Sequence, residues 1–119
     1  EVALISGRSS RALELRAENL GVAELHMGVE DKRTLLQELA AQRGIDLSHT
    51  GYMGDDVVDL PILRACGFSA TVADGHGEVL ARADYVATKS GGRGAVREVC
   101  DLILRAQGKW DAAMKEYLA

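Results

Sequence analysis

Three carboxylates fall within five positions at Asp55, Asp56 and Asp59, inside the stretch Gly51-Tyr-Met-Gly-Asp-Asp-Val-Val-Asp-Leu-Pro61. At that spacing water does not fully screen their mutual repulsion, which points to a positive partner. Hard oxygen donors with room for water suit Mg²⁺, which takes one or two carboxylates and leaves its other positions to water and a substrate phosphate. The stretch reads as a short buried strand over 50–53, a glycine turn at Gly54 and a helix opening on acids. The carboxylates then gather at the carboxyl end of a strand, where open α/β sheets place their ligands. Asp55 and Asp59 stand four apart, so on a helix beginning here both face one side. A purely structural alternative exists, because aspartates at a helix start are good caps and favourable partners of the helix dipole.

Two further groups lie upstream. Ser6 follows the apolar run 2–5, and its hydroxyl, with the backbone N–H groups of Gly7 and Arg8 at a helix start, makes a suitable phosphate cradle; the competing reading is a plain helix cap at Ser9 or Ser10. Lys32 opens a later helix and can meet a phosphate as a point charge, although a lysine there is also commonly solvated.

The elements that must position these groups alternate between strand and helix. Residues 2–5 read as a strand buried on both faces. A helix over 9–20 carries Leu13, Leu15, Ala17 and Leu20 inward and ends at Gly21. Residues 22–27 form a weaker strand interrupted by Glu24 and His26. Asp31 caps a helix to about residue 43, with Leu35, Leu36, Leu39 and Ala40 inward, and 45–49 is a loop. Residues 57–65 are helical, and Pro61 requires that helix either to start late or to bend. A strand over 68–73, a turn at 74–77, a short helix over 78–82 and a short strand over 84–87 follow. Beyond the glycine-rich loop 89–94, a helix over 95–106 turns Val96, Val99, Cys100, Ile103 and Leu104 inward, and a last helix over 110–118 packs on a neighbour. The class is α/β with a mainly parallel sheet.

Composition fits one domain over 1–119, with 47% hydrophobic residues and enough apolar surface for a modest core. Net charge is −4 with 14 dispersed basic residues, which argues against nucleic acid, whose partners carry a basic stripe. No apolar run approaches the ~20 residues of a membrane span. Cys66 and Cys100 lack metal-ligand spacing and read as small buried thiols in a reducing, cytoplasmic compartment. The chain starts at Glu1 without methionine and runs straight into a strand, so further residues are expected upstream.

Taken together, a hydroxyl after one strand, a lysine before a later helix and acids after the next strand resemble the phosphoaspartate-forming hydrolases of the haloacid dehalogenase superfamily. Ile5-Ser-Gly-Arg8, Gly54-Asp-Asp-Val-Val-Asp59, Ala73-Asp-Gly-His76, Ala83-Asp-Tyr-Val86 and Gly91-Gly-Arg-Gly-Ala-Val-Arg-Glu98 resemble its small capless branch, acting on 3-deoxy-D-manno-octulosonate 8-phosphate and acylneuraminate 9-phosphates. The resemblance covers almost the whole chain. It implies a Rossmann-like three-layer α/β/α fold without a cap, a phosphorylated sugar acid as substrate, Mg²⁺ as cofactor and a homotetramer in which a neighbour helps close the site. Ser6 would hold the phosphate, with Gly7 and Arg8 beside it, and Lys32 would neutralise the phosphoaspartate. Asp55 would bind Mg²⁺ directly, Asp59 would support the metal or its waters, and Asp56 would assist. Arg8 and the 91–94 loop would meet the sugar acid or the subunit boundary, and for Arg93 a structural role at the interface is an equally strong alternative.

The departure from the family pattern is the nucleophile. In the family an Asp-x-Asp strand precedes everything seen here and forms the middle of the sheet, between the strand ending at Ser6 and the strand ending at Gly54. No Asp-x-Asp occurs near Glu1, so the chain is expected to be part of a longer protein. A different class remains in play: related domains fused behind acylneuraminate cytidylyltransferases serve as non-catalytic oligomerisation platforms. A receiver-like phosphorylation switch is disfavoured, because Lys32 precedes Asp55 rather than following it.

Overall fold

The computed structural model describes all 119 residues, Glu1–Ala119. They divide into two compact units, Glu1–Gly44 and Ile45–Ala119.

The first unit is built as β1 (Ala3–Ile5), α1 (Arg11–Leu20), β2 (Glu24–His26) and α2 (Lys32–Gln42). β1 and β2 pair in parallel, with Ala3 opposite Glu24 and Ile5 opposite His26. The crossover helix between them is what a parallel pair requires. Ser10, not Ser9, caps α1, its Oγ accepting from Leu13 N at 3.3 Å. Asp31 caps α2 as expected, accepting from Thr34 N at 3.0 Å and from the Thr34 hydroxyl.

Burial here is shallower than the apolar pattern promised. Val2 is 66% exposed and no residue of β1 is buried. Only one edge of β1 is paired. Of the residues expected inward, Ala17 and Ala40 are buried, while Leu15 and Leu20 are exposed. Glu24 and His26, read as interruptions of β2, belong to its design. They project from the same side two residues apart, bond through the His26 Nε2 at 2.8 Å, and Glu24 also pairs with Arg43, which reaches Glu1 at 3.0 Å. The His26 and Arg43 donors hold the Glu24 carboxyl below its usual range.

In the second unit, β3 (Gly51–Met53), β4 (Phe68–Thr71) and β5 (Tyr85–Val86) form a parallel sheet in that order. α3 (Leu60–Ala65), α4 (Gly77–Leu80), α5 (Ala95–Ala106) and α6 (Trp110–Leu118) complete it. Single 3₁₀ turns precede β3, over Leu47–His49, and α3, over Val57–Asp59. The latter resolves the question Pro61 posed: α3 starts late, with the proline in its first turn, where the missing N–H has no intrahelical partner to lose. Ile62, Val79 and Thr71 are fully buried. Val72, Ala87 and Ala95 form a buried cluster against which Met53 and Tyr85 pack.

Three corrections concern α5 and the cysteines. Val99 is buried, but Val96 is 63% exposed and Ile103 is 39% exposed. Cys100, expected inside, is exposed as well, whereas Cys66 is half-buried. Burial pushes the Cys66 thiol up in pKa, and its Sγ lies 3.3 Å from Leu63 O and 3.2 Å from Phe68 O, the arrangement of an inert packing thiol.

Candidate active site

Ser6 follows β1 directly, in the first unit. Its backbone is fixed by Ser6 N donating to His26 O at 2.9 Å and by Val29 N donating to Ser6 O at 3.0 Å. The side-chain oxygen accepts from Arg8 N at 3.1 Å, a hydroxyl turn within the loop. One of the two N–H groups expected to cradle a phosphate is therefore engaged by the serine itself. The cradle also does not open a helix, because α1 begins only at Arg11. Gly7 and Arg8 are exposed, and half-buried Lys32 is the first residue of α2.

The acidic stretch follows β3 in the second unit, and its three carboxylates have separate environments. Asp59 is only 4% exposed. Its Oδ2 accepts from Asp55 N at 3.1 Å and Asp56 N at 3.2 Å. Asp56 reciprocates from the exposed side, accepting from Val57 N at 2.7 Å and completing a capping box around the 3₁₀ turn. Asp55 precedes that turn, so the helical i, i+4 pairing with Asp59 expected from the sequence is not how the two meet. Instead, Asp59 holds the backbone that carries Asp55, and the Asp55 carboxylate is exposed at the carboxyl end of β3. The repulsion anticipated among three charges is relieved by backbone N–H groups, which bind a carboxylate strongly. Gly54 makes the approach possible through its size: a Cβ there would lie 2.6 Å from Asp59 Cγ.

The same end of the sheet holds groups to which the sequence assigned no role. The Asp55 carbonyl accepts from His76 N at 2.9 Å. In the same turn, Asp74 Oδ1 accepts from Gly91 N at 2.8 Å. Glu98, on α5, accepts from Tyr85 Oη at 2.6 Å, from Thr88 N at 2.9 Å, from Thr88 Oγ1 at 2.7 Å and from Lys89 N at 3.2 Å. These donors, the Tyr85 phenol foremost, lower the Glu98 carboxyl to about 2. Both acids sit in the quoted motifs 73–76 and 91–98; the signal available was a carboxylate beside a glycine-rich loop, whose unpaired backbone N–H groups need acceptors.

No three His, Cys, Asp or Glu side chains come together as a ready cage for a metal. What the acidic turn offers a cation is one exposed carboxylate, Asp55, on a backbone braced by Asp59. That donor set fits Mg²⁺, which keeps most of its water and shares a phosphate, and does not fit a metal needing a closed protein shell.

A parallel α/β fold with acids at the carboxyl end of a strand defines a class, and the family model of haloacid dehalogenase-like hydrolases matches residues 17–99; the chain belongs to that family. Over 113 residues it is 45% identical to the 3-deoxy-D-manno-octulosonate 8-phosphate phosphatase KdsC of Escherichia coli (strain K12), covering 95% of this chain and 60% of that protein. The structure of the Moraxella catarrhalis 3-deoxy-D-manno-octulosonate 8-phosphate phosphatase, in complex with magnesium ion, phosphate ion and KDO, is similar at a TM-score of 0.92 and 46% identity, over 97% of this chain and 66% of that one. The Yersinia pestis phosphatase matches at a TM-score of 0.90 and 46% identity, over 93% of this chain and 60% of that one. The chain thus spans about 60% of the length of the curated relatives it matches.

Proposed function

We propose that the complete protein is a Mg²⁺-dependent phosphatase that hydrolyses a phosphorylated sugar acid of the 3-deoxy-D-manno-octulosonate 8-phosphate type through a phosphoaspartate. The observation that carries this reading is the exposed Asp55 carboxylate at the carboxyl end of β3, in a chain 45% identical to KdsC. Asp55 takes Mg²⁺ directly, Asp59 fixes the Asp55 backbone, and Asp56 closes the capping box beside it. Ser6, Gly7 and Arg8 bind the phosphate, and the Lys32 ammonium offsets its charge. Mg²⁺, when bound, supplies neutralisation of the phosphoryl oxygens. Phosphoryl transfer needs mainly such neutralisation and alignment, which is the kind of work these side chains can do. The covalent step needs an aspartate nucleophile, which is not supplied by an Asp-x-Asp motif in these 119 residues and would come from elsewhere in the complete protein. A homotetramer in the cytoplasm is part of the same proposal.

The test is phosphate release by the full-length protein from 3-deoxy-D-manno-octulosonate 8-phosphate. Loss of a metal-binding carboxylate removes several kcal/mol of transition-state stabilisation, so Asp55→Ala abolishes the Mg²⁺-stimulated reaction. Near-parental release from that variant rules out the assignment. A parent that assembles and binds Mg²⁺ yet hydrolyses nothing favours the oligomerisation platform instead.

A further inference from the structure

The segment Lys89-Ser-Gly-Gly-Arg-Gly94 carries two exposed cations, Lys89 and Arg93, on a chain of net charge −4. An exposed loop with three glycines has much conformational freedom to lose, yet this one is fastened on both sides. Glu98 binds its entry through Thr88 N, Thr88 Oγ1 and Lys89 N. Asp74 binds its middle through Gly91 N at 2.8 Å, and Ala73 N donates to Lys89 O at 3.0 Å. The turn that supplies Asp74 also supplies the His76 N–H that holds the Asp55 carbonyl at 2.9 Å. A hydrogen-bonded path therefore runs from the backbone bearing Asp55, through the 73–76 turn, to the glycine-rich loop and on to α5.

Charge gives that path a direction. Asp55, Asp56 and Asp74 make this end of the sheet acidic, and a ligand bearing a carboxylate as well as a phosphate is repelled there unless a cation answers it. The guanidinium of an arginine matches a carboxylate two-pronged, which a lysine ammonium does not. Resting on the phosphatase reading above, we infer that Asp74 and Glu98 are positioning residues, which hold the 89–94 loop so that Arg93 meets the carboxylate of the sugar acid and distinguishes it from other phosphate esters.

The experiment compares two substrates of the full-length enzyme: 3-deoxy-D-manno-octulosonate 8-phosphate and p-nitrophenyl phosphate, which has no carboxylate. Arg93→Ala raises KM for the sugar acid by about tenfold or more, while kcat for both esters and KM for p-nitrophenyl phosphate stay within about threefold of the parent. Glu98→Ala and Asp74→Ala, which remove the acceptors of Thr88 N and Gly91 N, reproduce that split without touching the substrate. Glu98→Gln, which keeps one acceptor oxygen for the Thr88 N–H, recovers part of it. Amide hydrogen exchange at Thr88, Lys89 and Gly91 accelerates in step. Variants whose amides exchange faster while the KM for the sugar acid stays parental overturn the positioning role, as do variants in which both esters suffer equally. A parent that releases phosphate from neither ester overturns the phosphatase reading instead, so the two failures are told apart.

Discussion

Thr71 and Gly75 show how closely single atoms constrain this molecule. Thr71 is fully buried on β4, and its Oγ1 has no hydrogen-bond partner. A Cβ added to Gly75 would stand 2.7 Å from that oxygen and 3.2 Å from Val72 O, so the turn carrying Asp74 and His76 closes only over a residue without a side chain. Overpacking of this kind costs about 1–3 kcal/mol, and urea unfolding of Gly75→Ala in the full-length protein should show a loss of that size. Trimming the neighbour relieves the clash, so the double variant Thr71→Ala/Gly75→Ala loses less than the sum of the singles, by about 0.5–3 kcal/mol of coupling. Strict additivity would show that the contact does not limit the turn. The acidic triad teaches a related lesson. Its residues were visible in the sequence, and so was the three-residue spacing from Asp56 to Asp59 that makes a reciprocal cap. Repulsion among neighbouring charges was the weaker guide, because backbone N–H groups of Asp55 and Asp56 hydrogen-bond to the Asp59 carboxylate.

Among the elements, those with local punctuation were legible and those that depend on neighbours were not. The 95–106 and 110–118 boundaries agree with α5 and α6 as found, and Asp31 and Gly44 bracket α2 as their chemistry dictates. The face α5 presents was misjudged at Val96, Cys100 and Ile103, since helical period gives the spacing of apolar positions and says nothing about how wide an arc the sheet covers. β1, β2 and β4 are shorter than their apolar runs, because pairing with a partner sets their length more than composition does. Glu98 gives the element scale its own test. Its folded pKa, about 2, lies below its ordinary 4.5, so its contribution to holding the Thr88–Lys89 segment is complete above pH 4.5 and is lost as pH falls toward 2. The Tyr85 phenol, which donates to Glu98, is correspondingly held protonated above its usual range. A carbon-13 NMR titration of the Glu98 carboxyl should give a midpoint near 2, with the Thr88 amide moving alongside it. A midpoint near 4.5 would show that the clamp is open in solution.

Taken whole, the chain puts its sequence-predicted phosphate groups, Ser6 and Lys32, in Glu1–Gly44 and its predicted metal groups in Ile45–Ala119. Every strand pairing in both units is parallel, as the alternating pattern required, and no helix is long and apolar enough to cross a membrane.

The chain contains one tryptophan, and Arg105 of α5 lies over its ring at 3.9 Å from the centroid. Trp110 begins α6, so this stacked pair joins the last two helices. Indole fluorescence of these 119 residues consequently comes from a single optical probe at that hinge. Emission that shifts to the red before far-ultraviolet ellipticity falls would time the departure of α6 ahead of the general loss of helix, using the protein's own chromophore and no added label.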